Sequence, residues 1–232
     1  MLSGFAIDPD ANVRRRTFEY HGRHSQFLEQ AIMHSSRHVM NGEEAVEAAK
    51  QFNFLENTLL KHRTLTIFGE INKEVAQRTV EKLLALSYEN EAPITIFIGS
   101  PGGHVESGDT IYDMIRFIKP VVRTVGTGWV GSIATHIYLA PAKENRYALP
   151  NTRFLIHQPS GGFGGDATDI AIQAREIIKT RARINQTIAE QTGQPLERVA
   201  IDTDRDYWMS PEESVAYGLV GRIINTAAEL PG

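Results

Sequence analysis

The run Ile94-Thr95-Ile96-Phe97-Ile98 is apolar at four of its five positions, and Gly99-Ser100-Pro101-Gly102-Gly103 follows it at once. A strand with one wet face alternates apolar and polar residues, whereas a near-continuous apolar run belongs to a parallel strand covered on both faces. The glycine segment is expected to turn the chain into a helix with Ile111, Met114, Ile115 and Ile118 on its buried side, closed by Pro120. The same change of period recurs along the chain. Arg63 to Gly69 reads as a strand and Lys73 to Ser87 as a helix with Val75, Val80, Leu83 and Leu84 inward. Pro120 to Val125, Arg153 to Ile156 and Leu219 to Ile224 read as further strands, and Pro211 to Tyr217 as a short helix. Alternating strands and helices predict an α/β fold with right-handed crossovers.

A chain of 232 residues has room for one such domain and an appendage. It contains no cysteine, which excludes disulfides, thiolate metal sites and a cysteine nucleophile. A formal charge of −4 gives no argument for nucleic acid or an acidic membrane surface. No apolar run approaches a membrane span and no secretory leader is evident, so a cytoplasmic protein is expected. Residues 1–54 read as an N-terminal helical arm, with Phe27, Leu28, Ala31 and Ile32 at helical spacing. His34 and His38 share a helix face there, but no third ligand accompanies them, and solvated polar positions are the commoner use. No metal or cofactor is expected.

The stretch Val125 to Leu139 carries the chemistry. Gly126, Gly128 and Gly131 lead into Ser132, and a regular apolar run follows, which places the serine at a glycine-rich turn entering a buried helix. Glycines permit close backbone approach, and free N–H groups at a helix start face any oxyanion formed there. Taken alone, Gly-Ser before an apolar run is more often an ordinary N-cap. The Gly-x-Ser-x-Gly elbow is absent, because Val130 and Ala134 take its glycine positions. A serine nucleophile needs a base, and His157 ends an apolar strand where a parallel sheet opens its cleft. Asp166, Asp169, Asp202, Asp204 and Asp206 are all available as its acid, and spacing does not choose among them. Backbone N–H groups in the Gly102-Gly103 turn and at Ile133 are candidate oxyanion donors.

Beyond Ser160-Gly161-Gly162-Phe163-Gly164-Gly165, a helix capped by Asp166 keeps Ile170, Ala174, Ile177, Ile178, Ile184 and Ile188 in register until Gly193. At about 25 residues it is ~38 Å long, more than this core needs. Packing on a second subunit and packing across its own sheet both fit.

Several segments together resemble the ClpP family, the proteolytic subunits of the ATP-dependent Clp protease. They are Ser100-Pro101-Gly102-Gly103, Tyr112-Asp113 with Phe117-Ile118-Lys119-Pro120, Arg146-Tyr147 with Leu149-Pro150-Asn151, His157-Gln158-Pro159 with Gly161-Gly162-Phe163, Ala174-Arg175-Glu176-Ile177, Thr192-Gly193-Gln194-Pro195-Leu196-Glu197 and Asp202-Thr203-Asp204-Arg205-Asp206. They arrive in the family's order, and the likeness spans residues 55–225, leaving 226–232 as a tail. The resemblance implies a crotonase-like α/β head with a protruding long-helix handle at about 160–193. It implies a serine endopeptidase with nucleophile Ser132, base Asp206-oriented His157, and oxyanion donors at Gly103 and Ile133. It further implies substrate strands docked at Gly161, Gly162 and Phe163, and Arg205 where the family couples ring contact to the triad. The implied assembly is two stacked heptameric rings, a tetradecamer, fed with unfolded polypeptide by a AAA+ unfoldase of the ClpX or ClpA/ClpC type.

The chain departs from that pattern in places. The family usually has Ala-Ser-Met-Gly where this chain has Gly131-Ser132-Ile133-Ala134. His136 stands where the family has an apolar residue, in core or pocket. The arm is longer than the family's axial segment and suits a propeptide, a modified gate or a contact to a second ClpP-type subunit. Two other readings stand beside the peptidase: a catalytically weak structural subunit of a mixed ClpP ring, and a crotonase-fold acyl-CoA enzyme.

Overall fold

The computed structural model describes residues 54–161 and 164–231. Nearly all of the arm, with His34 and His38, and both Gly162 and Phe163 lie outside the described residues. Within the unit Glu56–Gly232 the order is β1 (Thr64–Ile71), α1 (Lys73–Glu89), β2 (Ile94–Gly103), α2 (Val105–Phe117), β3 (Val122–Gly131) and α3 (Ile133–Tyr138). There follow β4 (Arg146–Ala148), β5 (Arg153–Ile156), α4 (Ala167–Thr192), α5 (Leu196–Asp202), β6 (Tyr207–Met209), α6 (Pro211–Tyr217) and β7 (Arg222–Ile223).

The main sheet runs β1-β2-β3-β4-β7, all parallel. Strand β3 forks: its first half, Thr124 to Gly126, pairs with β4, and its last three residues, Trp129 to Gly131, pair with β5. Strand β6 then runs antiparallel along β5. Ile67, Ile94, Ile96 and Ile98 from the sheet and Ile111 and Ile137 from α2 and α3 are almost wholly buried. In β2 the burial alternates: Ile94, Ile96 and Ile98 share a fully buried face, while Thr95 and Phe97 on the other face are half-buried, so the sequence expectation of full cover on both faces is met on one face only. Helix α1 starts where the Asn72 side chain accepts from the Val75 N–H, and α6 starts in a full capping box between Ser210 and Glu213. The buried Arg146 guanidinium donates to the carbonyls of Gln191 and Leu219, tying the end of α4 to the chain after α6.

Two expectations need correction. The segment Ser100 to Gly103 does not turn away from the sheet, because after a shift of register Gly102 and Gly103 pair with Glu70 and Ile71 of β1. Likewise, Gly126 to Gly131 continues β3 instead of forming a turn. In both places the glycines let neighbouring strands approach, and the ladder continues. The last strand shrinks to Arg222–Ile223, and the short β4 and β6 carry too few residues to show a period.

Helix α4 has 26 residues, about 39 Å. Its buried residues, Ile184, Asn185, Ile188 and Ala189, all lie in the second half. In the first half Ile170, Ile172 and Ile178 are 45%, 42% and 66% exposed. The helix therefore overshoots the core of its own unit.

Candidate active site

The strand register assembles the site. Gly131 at the end of β3 pairs with Leu155, and Ile156 at the end of β5 pairs with Tyr207 at the start of β6. Ser132, His157 and Asp206 are the residues just beyond those three strand ends, so the ladder sets them side by side. His157 Nε2 lies 2.8 Å from Ser132 Oγ, and His157 Nδ1 lies 2.9 Å from Asp206 Oδ1. An ionised carboxylate only accepts, so Nδ1–H donates to Asp206 and Nε2 is left to accept from the serine hydroxyl.

Ser132 holds φ 55° and ψ −129°, and among the described residues only Arg63 is another non-glycine with positive φ. Such a conformation costs about 1–3 kcal/mol and persists where its surroundings dictate it. Here the Ser132 N–H donates to the Leu155 carbonyl, and the Thr135 hydroxyl is shared between the Val130 and Leu155 carbonyls. Ser132 occupies the N-cap position of α3 but makes no side-chain cap bond. Its hydroxyl goes to His157 instead, so the ordinary capping role does not apply. The end of β2 presses on this link: a Cβ at Gly102, whose φ is +101°, would sit 2.6 Å from Ser132 Cβ and 3.2 Å from the Ile133 nitrogen. That contact brings the Gly102-Gly103 segment against the Ser132–Ile133 peptide.

The five candidate acids separate clearly. Asp202 accepts from Arg198 and Tyr217, and Asp204 accepts from Arg181 and Gln158. Asp166 is the N-cap residue of α4, without a side-chain cap bond, and Asp169 lies in its first turn. Asp206 alone among them bonds to His157. The Gln158 N–H donates to the Thr203 carbonyl at 2.6 Å and its side-chain amide to the Asp204 carbonyl at 2.7 Å, which fixes the loop after His157 to the turn carrying Asp206. Arg205 is exposed and donates to the Asp204 carbonyl. Gly161 lies in the irregular segment between β5 and α4.

Beside Ser132 and His157 is a narrow cavity of about 20 Å³. Val105, Ile133, Pro159, Ile184 and Ile188 supply its apolar walls, and Thr135 and His136 complete it. His136 is thus both core and pocket: it is 3% exposed and stacks on Tyr112 with ring centroids 4.3 Å apart. Its Nε2 lies 3.4 Å from Asp109 Oδ1, and Arg183 of α4 clamps the same carboxylate with bonds of 2.8 and 2.6 Å. Burial pushes the Asp109 carboxyl up, but bonding to His136 and Arg183 outweighs it and brings the pKa down to about 2. The sequence reading missed Asp109 and Arg183, whose only signal is a contact across 74 residues. Among the described residues there is no group of side chains that could hold a metal ion, and no helix long and apolar enough to cross a membrane.

A serine, a histidine and an aspartate bonded in series at the carboxyl edge of a largely parallel sheet have the arrangement that serine hydrolases use. The chain belongs to the Clp protease family, whose model matches residues 33–227. It is 53% identical over 194 residues to the ATP-dependent Clp protease proteolytic subunit 3 of Rhizobium etli, covering 82% of this chain and 100% of that one. It is 55% identical over 178 residues to proteolytic subunit 2 of Gluconobacter oxydans, covering 76% of this chain and 80% of the relative. The solved structure of ClpP1 from Listeria monocytogenes matches with a TM-score of 0.70 at 52% identity, over 76% of this chain and 99% of that one. The α/β head with its long helix is therefore the fold of that family, and the chain is a serine-type peptidase of the Clp proteolytic-subunit kind. The structural-subunit and acyl-CoA readings are not favoured.

Proposed function

We propose that Ser132 is the nucleophile that cleaves unfolded polypeptide chains, with His157 as its base and Asp206 as the group that orients the imidazole. The continuous hydrogen-bond series from Ser132 through His157 to Asp206, at 2.8 and 2.9 Å, carries this reading. Ser132 Oγ attacks the scissile carbonyl while His157 Nε2 takes its proton, and the resulting imidazolium returns that proton to the leaving amine. Water then repeats the sequence on the acyl-enzyme. The N–H groups of Gly103 and Ile133 receive the oxyanion, which the contact of Gly102 with the Ser132–Ile133 peptide supports. The apolar walls beside Ser132 and His157, from Val105, Ile133, Ile184 and Ile188, border the place where the side chain preceding the cut bond, the P1 residue, comes to lie.

The same reading extends to the assembly. Residues 55–225 are the peptidase domain, with the handle at 160–193, residues 1–54 as an appended arm and 226–232 as a tail. Heptameric rings of this chain, alone or with a second ClpP-type subunit, stack through the handles in the cytoplasm. The exposed apolar residues on the first half of α4 support such a contact. A AAA+ unfoldase of the ClpX or ClpA/ClpC type delivers the substrate, whose strand pairs beside Gly161, Gly162 and Phe163. Arg205 links ring contact to the triad.

A serine-directed fluorophosphonate tests the core of this reading. Wild-type protein is expected to take one label per active chain, on Ser132, and Ser132→Ala to take none while keeping its native mass. Labelling that survives in Ser132→Ala, or a wild type that forms rings yet remains unlabelled, would overturn it.

A further inference from the structure

The chain has two tryptophans, and both belong to the strands that carry the triad: Trp129 to β3 and Trp208 to β6. Directly paired residues turn their side chains to one face of a sheet, and residues two apart on a strand share that face. Trp129, its partner Arg153, Gly131, Leu155 and Trp208 therefore lie on the same side of the patch. The other side, with Val130, Phe154, Ile156 and Met209, is buried core. Across β5 the two indoles meet with ring centroids 5.5 Å apart, and the Arg153 guanidinium lies 4.3 Å over the Trp208 ring. Each of the three strands thus gives one member to the cluster, just as each adjoins one of Ser132, His157 and Asp206. Both indoles remain partly exposed, and no catalytic step uses them.

Their link to the nucleophile is short. A Cβ at Gly131 would sit 2.5 Å from Trp129 Nε1, so the indole fills the space of the side chain that the residue before Ser132 lacks. On the same rung the Leu155 carbonyl accepts from the Ser132 N–H and the Thr135 hydroxyl, the bonds that hold Ser132 at its positive φ. Leu155 in turn faces Trp208 on the next strand. The ladders themselves are brief. Three rungs join β3 to β5 and three join β5 to β6, and among the described residues β6 has no second partner. A short edge strand opens readily, and opening of β6 would carry Asp206 away from His157.

We propose that Trp129, Arg153 and Trp208 form a brace that holds the three strand ends in register, and with them Ser132 and Asp206 on either side of His157. The inference rests on the reading of those three as the catalytic triad. The members of the brace are positioning residues, which act through the strands and touch no substrate. Interlocked rings with a guanidinium on top resist the sliding that apolar packing on the core face tolerates, because the cation must stay over the ring face. Arginine keeps its charge throughout the working pH range, so the brace does not loosen with pH.

The test uses full-length assembled protein carrying Trp208→Ala or Trp208→Phe, with kcat and KM referred to the sites that a fluorophosphonate titrates to completion. Trp208→Ala is expected to lower kcat per titrated site by about 10- to 100-fold, as a small displacement of reacting groups does, with KM nearly unchanged. Trp208→Phe, which keeps a ring under Arg153 and beside Trp129, should recover most of that loss. A raised KM at unchanged kcat would mean that the indoles hold substrate, and a lowered melting temperature at unchanged kcat would mean that they only pack; either result overturns the proposal. If Trp208→Ala does not reach the wild-type native mass, Arg153→Met decides, since it keeps the side-chain stem and removes the cation. Its kcat per site should then fall severalfold, and an unchanged value overturns the brace. Absence of label on Ser132 in the wild type would instead sink the triad reading beneath it.

Discussion

Asp206→Asn is expected to lower kcat for peptide cleavage by about 10³- to 10⁴-fold with KM nearly unchanged. The carboxylate does two things: it accepts the proton-bearing Nδ1 of His157, and it stabilises the imidazolium while the serine attacks. Asparagine presents either an amide N–H, which forces the proton onto Nε2 and removes the base, or a neutral oxygen that orients without stabilising charge. The side chain of Asp206 is 64% exposed, so water screens its charge and most of the expected loss comes from orientation and tautomer. The substitution leaves the fold intact, because Asp206 sits at the start of β6 with its side chain outward. Steady-state kinetics normalised to fluorophosphonate-titrated sites would measure it. A loss smaller than tenfold would show that another group holds His157.

Gly108→Ala is the second large effect, and it acts without touching a catalytic side chain. Gly108 lies in α2 opposite the start of α3, and a Cβ there would fall 2.1 Å from Ile133 Cγ1. Ordinary contact needs well over 3 Å, so Ile133 must retreat by about an ångström or α2 must tilt. Overpacking of this kind costs about 1–3 kcal/mol of stability. Ile133 also follows the nucleophile directly, and a displacement of that size near reacting groups costs about 10²-fold in rate. The expected result is therefore a folded, slightly destabilised protein with kcat/KM down about 10²-fold. Ile133→Ala in the same chain removes the colliding atom while keeping the backbone N–H, and should restore much of the loss. A double-mutant cycle on kcat/KM would read this coupling, and additive losses would refute the steric account.

How much of this was legible beforehand depended on the range of the interaction involved. The long elements have strong periods, and Lys73–Glu89, Arg153–Ile156 and Pro211–Tyr217 fall where apolar spacing and caps put them. The glycine segments were misread as turns, because glycine marks both a turn and a close approach of strands, and pairing with β1 decided between them. Ser132 stood out because a glycine-rich stretch leads it into an apolar run, and His157 because it ends an apolar strand, but the choice among five aspartates needed the antiparallel register of β5 with β6. That pairing is between segments some fifty residues apart, and no local pattern encodes it. Family likeness pointed to Asp206 by position, and the geometry reached the same residue through Tyr207 and Ile156. Nothing local announced the Arg183–Asp109–His136 chain, since each member taken alone is an ordinary polar residue on a helix.

The fork in β3 divides the molecule into regions of unequal tolerance. Ser132, His157 and Asp206 all hang from the three-stranded patch made by the end of β3 with β5 and β6, while β4 and β7 continue the main sheet from the other branch. A residue lost from the patch slides one triad member against another, because every rung there is shared. One lost at the β7 edge shifts only a two-residue strand whose sole sheet partner is β4. Insertions and length changes are thus admissible along one border of the sheet and forbidden along the other, so the chain can be remodelled from its far edge while its chemistry stays put.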